Sequence, residues 1–216
     1  PLADGGGGDP AADAGGGAHV TGGHGGERGR RPVGDQCGTC ADGADAYGNG
    51  RSERQLAEAF RGRRADVVYG TKVGYDIYDE EAQKARRGQS ELPQRFEPKF
   101  MRHAVDKCLE RLETDYIDVL QLHNIKMEHV RDPAIWEALR EMQQEGLIGV
   151  WGAAFGPAIG WLYEAVELCE RESDIGTIQM IWSILEQHPG TAMIDAAKEH
   201  APNGGCHIRG THAAGV

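Results

Sequence analysis

The sequence predicts an α/β fold built on a parallel sheet. From residue 52 onward, short apolar segments of strand length alternate with longer segments that have one apolar face. This alternation is typical of right-handed βαβ units, which place successive strands parallel in one sheet. An open doubly wound sheet and a (β/α)₈ barrel both fit the pattern. The open dinucleotide-binding sheet is disfavoured, because no Gly-x-Gly-x-x-Gly motif follows any of the predicted strands.

The first predicted helix begins at Ser52, since Ser52 and Gln55 have the spacing of a capping box. Leu56, Ala59 and Phe60 then form its apolar face. The elements expected next are, in order, a buried strand at 66–73, a polar loop at 75–98, a helix at 100–112 and a strand at 116–123.

A second helix start is signalled at Asp132, which is expected to cap a helix with Pro133 at its first position. Gly146 is expected to end that helix. The remaining predicted elements are a strand at 148–155, a helix around 162–169, a strand at 177–185, a helix at 191–200 and a strand at 206–211.

Residues 1–40 differ from the rest of the chain in composition. Fourteen of these 40 residues are glycine, and Leu2, Val20 and Val33 are the only aliphatic residues larger than alanine. Such a segment cannot bury a core, so residues 1–40 are predicted to be disordered or non-homologous. Residues 41–216 are predicted to form the folded region.

Charge and hydropathy exclude several classes of protein. The formal net charge of −11 argues against nucleic acid or an anionic membrane as a partner. No apolar run approaches the roughly 18 residues that a membrane-spanning helix needs. The N-terminus has neither the basic start nor the apolar stretch of a signal peptide, so a cytoplasmic protein is expected.

Cys37 and Cys40 have the Cys-x-x-Cys spacing of some zinc sites, and His19 and His24 lie upstream. The histidine pair does not have the usual spacing, and it lies in a segment with no predicted fold around it. No metal site is therefore predicted.

In a parallel barrel, functional side chains lie at the C-terminal ends of the strands, and reactive residues of this sequence fall at such positions. Lys72 lies near the end of one predicted strand and His123 at the end of the next, while Asp42 and Tyr47 precede the first helix. A tyrosine with a pKa near 10 donates a proton poorly at neutral pH unless its phenolate is stabilised. A nearby lysine can stabilise the phenolate, and an aspartate can hold that lysine in place.

Several ordered segments resemble aldo-keto reductases. Residues 42–48 resemble the family signature Asp-x-Ala-x-x-Tyr-Gly, and Thr71-Lys72 is similar to its catalytic lysine strand. The most recognisable family stretch is closely matched by residues 109–123. The last two matches are residues 178–187, similar to the sixth strand, and residues 209–215, similar to a degraded Arg-x-Pro-His-x-x-Gly of the seventh.

The resemblance implies a (β/α)₈ TIM barrel of aldo-keto reductase type, with about strands 2 to 7 present in residues 41–216. It implies the NAD(P)H-dependent reduction of an aldehyde or ketone, a small-molecule carbonyl, to an alcohol. Tyr47 would be the proton donor, and Lys72 and Asp42 would tune it. His123 would orient the substrate carbonyl.

The same resemblance assigns four cofactor-binding positions for NADPH or NADH. Gln179 would contact the nicotinamide amide, and Trp182 stands where many relatives have a tyrosine beneath the ring. Ala154 lies near a position that often holds Ser or Asn for the carboxamide, and Arg209 begins the seventh-strand motif. An alternative is an inactive fragment, pseudoenzyme or binding subunit of this fold that lacks a complete cofactor site.

Overall fold

The computed structural model describes residues 39–86, 91–156 and 161–211 of the chain, and these form a single six-stranded parallel sheet. Most of the predicted Gly-rich segment, with Cys37, His19 and His24, lies outside the described residues. The strands follow one another across the sheet in chain order: β1 Thr39–Asp42, β2 Val67–Val73, β3 Ile117–His123, β4 Ile148–Ala154, β5 Thr177–Ile181 and β6 Gly205–Arg209.

Helices occupy the connections between these strands. Each of the longer ones buries a single apolar stripe against the sheet, as in α3, where Phe100, Ala104 and Cys108 are buried at intervals of four residues. The helices of the described ranges are α1 Arg51–Ala59, α2 Glu80–Ala85, α3 Pro98–Leu112, α4 Met127–Val130, α5 Pro133–Gln144, α6 Leu162–Arg171 and α7 Gly190–His200. Within those ranges, none is long and apolar enough to cross a bilayer.

The sheet is curled into a half-barrel. Adjacent strands of a sheet lie about 4.8 Å apart, so a flat sheet would separate β1 from β5 by roughly 19 Å. Instead, the side chain of Gln179 on β5 donates a hydrogen bond of 3.2 Å to Asp42 on β1. The prediction of a truncated (β/α)₈ barrel is therefore confirmed, and the open doubly wound sheet is excluded for the described strands.

The core lies between the convex face of the sheet and the helices. Every residue of β2 is buried, as expected for a parallel strand covered on both faces. Trp136 of α5 and Trp151 of β4 pack with their ring centroids 5.9 Å apart, and both are almost fully buried. Large aromatic side chains of this kind contribute much of the apolar area that drives folding.

The two predicted helix starts have different outcomes. Asp132 caps α5 as predicted, since its Oδ1 accepts a hydrogen bond of 3.0 Å from the Ala134 amide. The capping box at Ser52 is wrong. The residue before α1 is Gly50, which has a left-handed conformation with φ of 78°, and no side chain caps the helix. Gly50 is required there because a Cβ would overlap the side chain of Arg111.

Four segments differ from the expected structure. The predicted loop at 75–98 contains α2, and α4 was not predicted. The strand expected at 177–185 ends at Ile181, because Ser183 and Glu186 form a turn through two mutual hydrogen bonds. Thr39 and Cys40 fall in the segment predicted to be disordered or non-homologous, yet Thr39–Asp42 pairs with Val67–Gly70 of β2. The segment pairs because the edge of β2 has backbone groups free to bond with it, and not because its own composition favours a strand.

Gly152 is the strand glycine at which an added side chain is expected to cost most. A Cβ there would overlap the Thr177 carbonyl of the neighbouring strand, whereas one at Gly205 would find its nearest atom 3.9 Å away. Gly152→Ala should lower the free energy of unfolding by at least about 2 kcal/mol. Gly205→Ala, the matched control, should change it by less than about 0.5 kcal/mol in denaturant titrations. Equal destabilisation by the two substitutions would contradict the close approach of Gly152 to the Thr177 carbonyl.

Candidate active site

Lys72 is the centre of the site, and its side chain is almost completely buried. Its ammonium donates to both carboxylate oxygens of Asp42, at 2.7 Å each, and to the Gly43 carbonyl at 2.9 Å. Burial lowers the pKa of Lys72, and the Asp42 carboxylate raises it back toward its usual range. The structure thus brings together the predicted pair from the ends of β1 and β2.

His123 ends β3 beside this pair and is also buried. Its pKa is lowered to about 3, first by burial and then by the positive charges of Lys72 and Arg209, while Asp42 opposes the shift. The imidazole is therefore neutral at physiological pH. Its Nδ1 has no hydrogen-bond partner among the described residues. A neutral imidazole presents one donor and one acceptor, so it can direct a hydrogen bond at a carbonyl oxygen.

Tyr47 lies in the loop that joins β1 to α1, and 45% of its surface is exposed. Its ring meets His123 edge-on, with the centroids 5.7 Å apart, and the Lys72 ammonium lies 5.8 Å from its centroid. The predicted four residues therefore lie together at the C-terminal edge of the sheet.

The electrostatics of Tyr47 differ from the sequence expectation. Its pKa is raised, mainly by burial, with Arg209 lowering it and Asp42 raising it further. Lys72 was expected to lower this pKa, but the Asp42 carboxylate that binds the ammonium offsets the charge that Lys72 offers. The phenol consequently keeps its proton at neutral pH.

Gln179 lies on β5 and faces the same interior. Its Nε2 donates to Asp42 Oδ2 at 3.2 Å and lies 3.0 Å from Nδ1 of His207 on β6. The amide is buried, so these bonds extend the Lys72–Asp42 pair across the half-barrel. The sequence did not identify His207, because it lies on a strand that the sequence defines poorly. Side chains alternate along a strand, and this alternation alone indicates that His207 and Arg209 both face inward.

The other three predicted cofactor positions surround this network. Trp182 is half-buried just after β5, and its Nε1 donates to Thr191 Oγ1 at 3.1 Å. Arg209 ends β6 and donates to the Phe155 carbonyl at 2.8 Å. Ala154 ends β4, is almost fully buried and offers only a methyl group.

A second set of buried charges supports the loop that carries Tyr47. Glu53 of α1 is fully buried, pairs with Arg111 of α3 and accepts from Thr71 Oγ1 at 2.6 Å. Asp45 is fully buried nearby, and its pKa is raised well above the usual range by burial and by Glu53. The Asp45 amide donates to the Lys72 carbonyl at 3.0 Å, which ties the loop to β2.

Comparison with known proteins identifies the family. The family model described as Aldo/keto reductase family matches residues 33–205, most of the chain. The chain therefore belongs to the aldo/keto reductase family, as the sequence motifs predicted.

Individual relatives agree with this membership. The uncharacterized oxidoreductase YqkF of Bacillus subtilis is 32% identical over 149 residues, which cover 68% of this chain and 44% of YqkF. Aldo-keto reductase yakc [NADP(+)] of Schizosaccharomyces pombe is 33% identical over 89 residues, covering 40% of this chain and 24% of yakc. The holo form of aldo-keto reductase AKR11C1 from Bacillus halodurans superposes with a TM-score of 0.66 at 30% identity, over 82% of this chain and 54% of that one. The chain spans about half the length of these relatives or less.

The Lys72–Asp42 pair should respond asymmetrically to mutation, because Lys72 is buried whereas the Asp42 side chain is 31% exposed. Asp42→Asn leaves the buried ammonium without a counter-charge, and should lower the free energy of unfolding by about 3 kcal/mol. Lys72→Met should cost less, since Asp42 keeps contact with water. The double variant should recover at least about 1 kcal/mol relative to Asp42→Asn. If urea titrations showed that the two single substitutions change the free energy of unfolding by strictly additive amounts, the coupling of Lys72 and Asp42 would be contradicted.

Proposed function

We propose that this chain carries the active site of an NAD(P)H-dependent reductase that converts an aldehyde or ketone to an alcohol. The observation that carries the proposal is the convergence of a buried ion pair, a neutral histidine and a protonated tyrosine at one edge of the half-barrel. Strand ends in a parallel barrel are where catalytic groups of unrelated chemistries are found. Membership of the family supports the same reading.

Tyr47 would deliver the proton in this reaction. Its raised pKa keeps the phenol protonated until negative charge develops on the substrate oxygen. The phenolate that remains would be stabilised by Arg209, whose positive charge lowers the pKa of Tyr47, whereas the ammonium of Lys72, 5.8 Å from the Tyr47 ring centroid, is offset by Asp42. Asp42 would hold that ammonium in place through its two hydrogen bonds.

His123 would orient the carbonyl. Because its imidazole is neutral and its ring lies against Tyr47, both side chains can reach the same oxygen from different sides. Donors fixed before reaction stabilise a developing oxyanion without reorganisation. A charged imidazolium would bring a mobile proton that competes with Tyr47, and burial prevents this.

The polar atoms of the site suit the nicotinamide end of the cofactor. In the described part of the chain, His123 Nδ1 and Arg209 Nε are buried without hydrogen-bond partners, so they fit a polar ligand. Trp182 would lie against the ring, and Gln179 and Arg209 would hold the polar groups, while Ala154 contributes shape alone. When bound, the reduced cofactor supplies the hydride. Aldo-keto reductase yakc of Schizosaccharomyces pombe carries NADP(+) in its name, which supports this cofactor class.

Some expectations stay predictions. They include the cytoplasmic location, the small-molecule substrate and the absence of a nucleic-acid partner. The alternative function, an inactive fragment or pseudoenzyme, is separated from the reductase by turnover and cofactor binding, measured in the following experiment.

Tyr47→Phe tests the proton donor directly. With NADPH and an aromatic aldehyde, kcat should fall at least about a hundredfold, because general acid catalysis contributes about 10²–10⁴-fold. The dissociation constant for NADPH should change less than about twofold, since the ring is retained. Loss of the dihydronicotinamide absorbance measures turnover, and fluorescence titration measures binding. Tyr163→Phe, at an exposed tyrosine of α6, is the matched control and should leave both quantities unchanged.

The outcomes test the donor assignment and the inactive alternative separately. Full activity in Tyr47→Phe would refute the donor assignment. Wild-type protein that neither binds NADPH nor turns over would support the inactive alternative. His123→Ala should impair small aldehydes more than large ones, because small substrates have few other contacts to orient them.

A further inference from the structure

The connection between β2 and α3 forms a small structure of its own beside His123. Residues 74–76 and 93–95 run antiparallel, with two backbone hydrogen bonds of 2.7 and 2.8 Å on either side of the paired residues Tyr75 and Gln94. Tyr75 packs with Ile77 and Leu92 in a separate apolar cluster, which Ala46 of the Tyr47 loop also contacts. We refer to Tyr75 and Gln94 as the clamp.

Tyr75 of the clamp holds the side chain of His123. The two rings meet edge-on, with centroids 5.0 Å apart and planes at 71°. The Tyr75 hydroxyl accepts a hydrogen bond of 3.0 Å from Asn124 Nδ2, the residue that follows His123. Only 5% of Tyr75 is exposed, so its ring has neighbours on all sides and cannot swing away from the imidazole.

Gln94 of the clamp holds the backbone at the same place. Its Nε2 donates to the carbonyls of both His123 and Asn124, at 2.9 Å each. Asn124 is in the left-handed conformation, with φ of 53°, and its backbone N–H donates to the Ala154 carbonyl at 2.8 Å. A non-glycine residue in this conformation is strained unless its surroundings hold it there. The clamp supplies part of that restraint.

Gly74 allows the clamp to form. Its φ of 134° turns the chain directly after β2, and a Cβ at this position would overlap the ring of Phe96. A residue with a side chain could not make this turn without moving Phe96. The turn at Gly74 therefore places Tyr75 against His123, only three residues after Lys72 in the chain.

We propose that Tyr75 is a positioning residue for the reductase site, holding the His123 imidazole at the angle at which it faces Tyr47, while Gln94 holds the backbone beneath it. This inference rests on the proposed function. Tyr47 and Tyr75 both meet the imidazole edge-on, and together they leave it a single orientation. Tyr75 does not need to touch substrate, since its hydroxyl is engaged by Asn124.

Other groups facing His123 cannot take this role. Lys72, Arg209 and Asp42 act on the imidazole through charge, and their combined effect with burial is the pKa of about 3. Charge sets the protonation state of a histidine, whereas packing sets the angle of its ring. Burial also raises the pKa of Tyr75 well above its usual value, so the hydroxyl stays neutral beside the imidazole.

The test uses ring nitrogen spectra of the full chain labelled with ¹⁵N-histidine, with His123 assigned by its absence in His123→Gln. The wild-type imidazole should show one fixed neutral tautomer, unchanged between about pH 5 and about pH 8. Tyr75→Leu removes the ring and should give nitrogen shifts averaged between the two neutral tautomers, because the imidazole is no longer held at one angle. Tyr75→Phe keeps the ring and should preserve the fixed tautomer.

Tyr69→Leu is the matched control, because Tyr69 is a buried tyrosine of β2 that packs on Phe60 and lies outside the cluster of Tyr75. It should leave the His123 signals unchanged even if it lowers stability. In turnover assays, Tyr75→Leu should lower kcat about tenfold or more while the NADPH dissociation constant changes less than about twofold.

Wild-type ring shifts in Tyr75→Leu would overturn the proposal, as would equal disturbance of His123 by Tyr69→Leu. The spectra require no turnover. A wild-type protein without activity would therefore refute the proposed function, while the ring signals would still decide whether Tyr75 positions His123.

Discussion

The buried ammonium of Lys72 is the constraint around which the rest of the site is arranged. A cation taken out of water is costly unless it is paired and hydrogen-bonded, and Asp42 and Gly43 together provide three acceptors. Because Asp42 also accepts from Gln179, the hydrogen bonds around one lysine link β1, β2 and β5 across the half-barrel. The loop that follows Asp42 is tied back to the Lys72 carbonyl by the Asp45 amide, and this places Tyr47 over the pair.

That loop lies between two sets of buried charges. On one side is the Lys72–Asp42 pair, and on the other is the Glu53–Arg111 pair between α1 and α3. Asp45 faces the second set, and its raised pKa shows that a further negative charge is disfavoured there. A neutral carboxyl avoids repulsion from Glu53 that an ionised one would meet. The geometry of the candidate site therefore depends on helices well behind it as well as on the strands that carry it.

Much of this arrangement follows from local sequence, and the exceptions have a common cause. The apolar faces of α3 and α5 were predictable because burial of one helix face imposes a period of 3.6. The strands β2 to β4 were predictable because strands buried on both faces give short continuous apolar runs. Lys72 and His123 were predictable as site candidates, since strand ends converge in a barrel. Tyr75 and Gln94 were not, because their connection is polar and irregular and their importance arises only where it folds back on His123. Likewise β1 lacks strand composition, and its pairing is decided by β2.

The protonation states of the three central side chains explain one another. In the half-barrel interior, the positive charges of Lys72 and Arg209 lower the pKa of His123, and burial acts in the same direction. Burial acts oppositely on Tyr47, because it disfavours whichever form is charged, and a phenol is neutral when protonated. The same low-dielectric environment therefore keeps the imidazole of His123 neutral and the phenol of Tyr47 protonated. In the proposed reaction, Tyr47 is then the group that has a proton to give, and Arg209, one of the positive charges that keep His123 neutral, would stabilise the phenolate left behind.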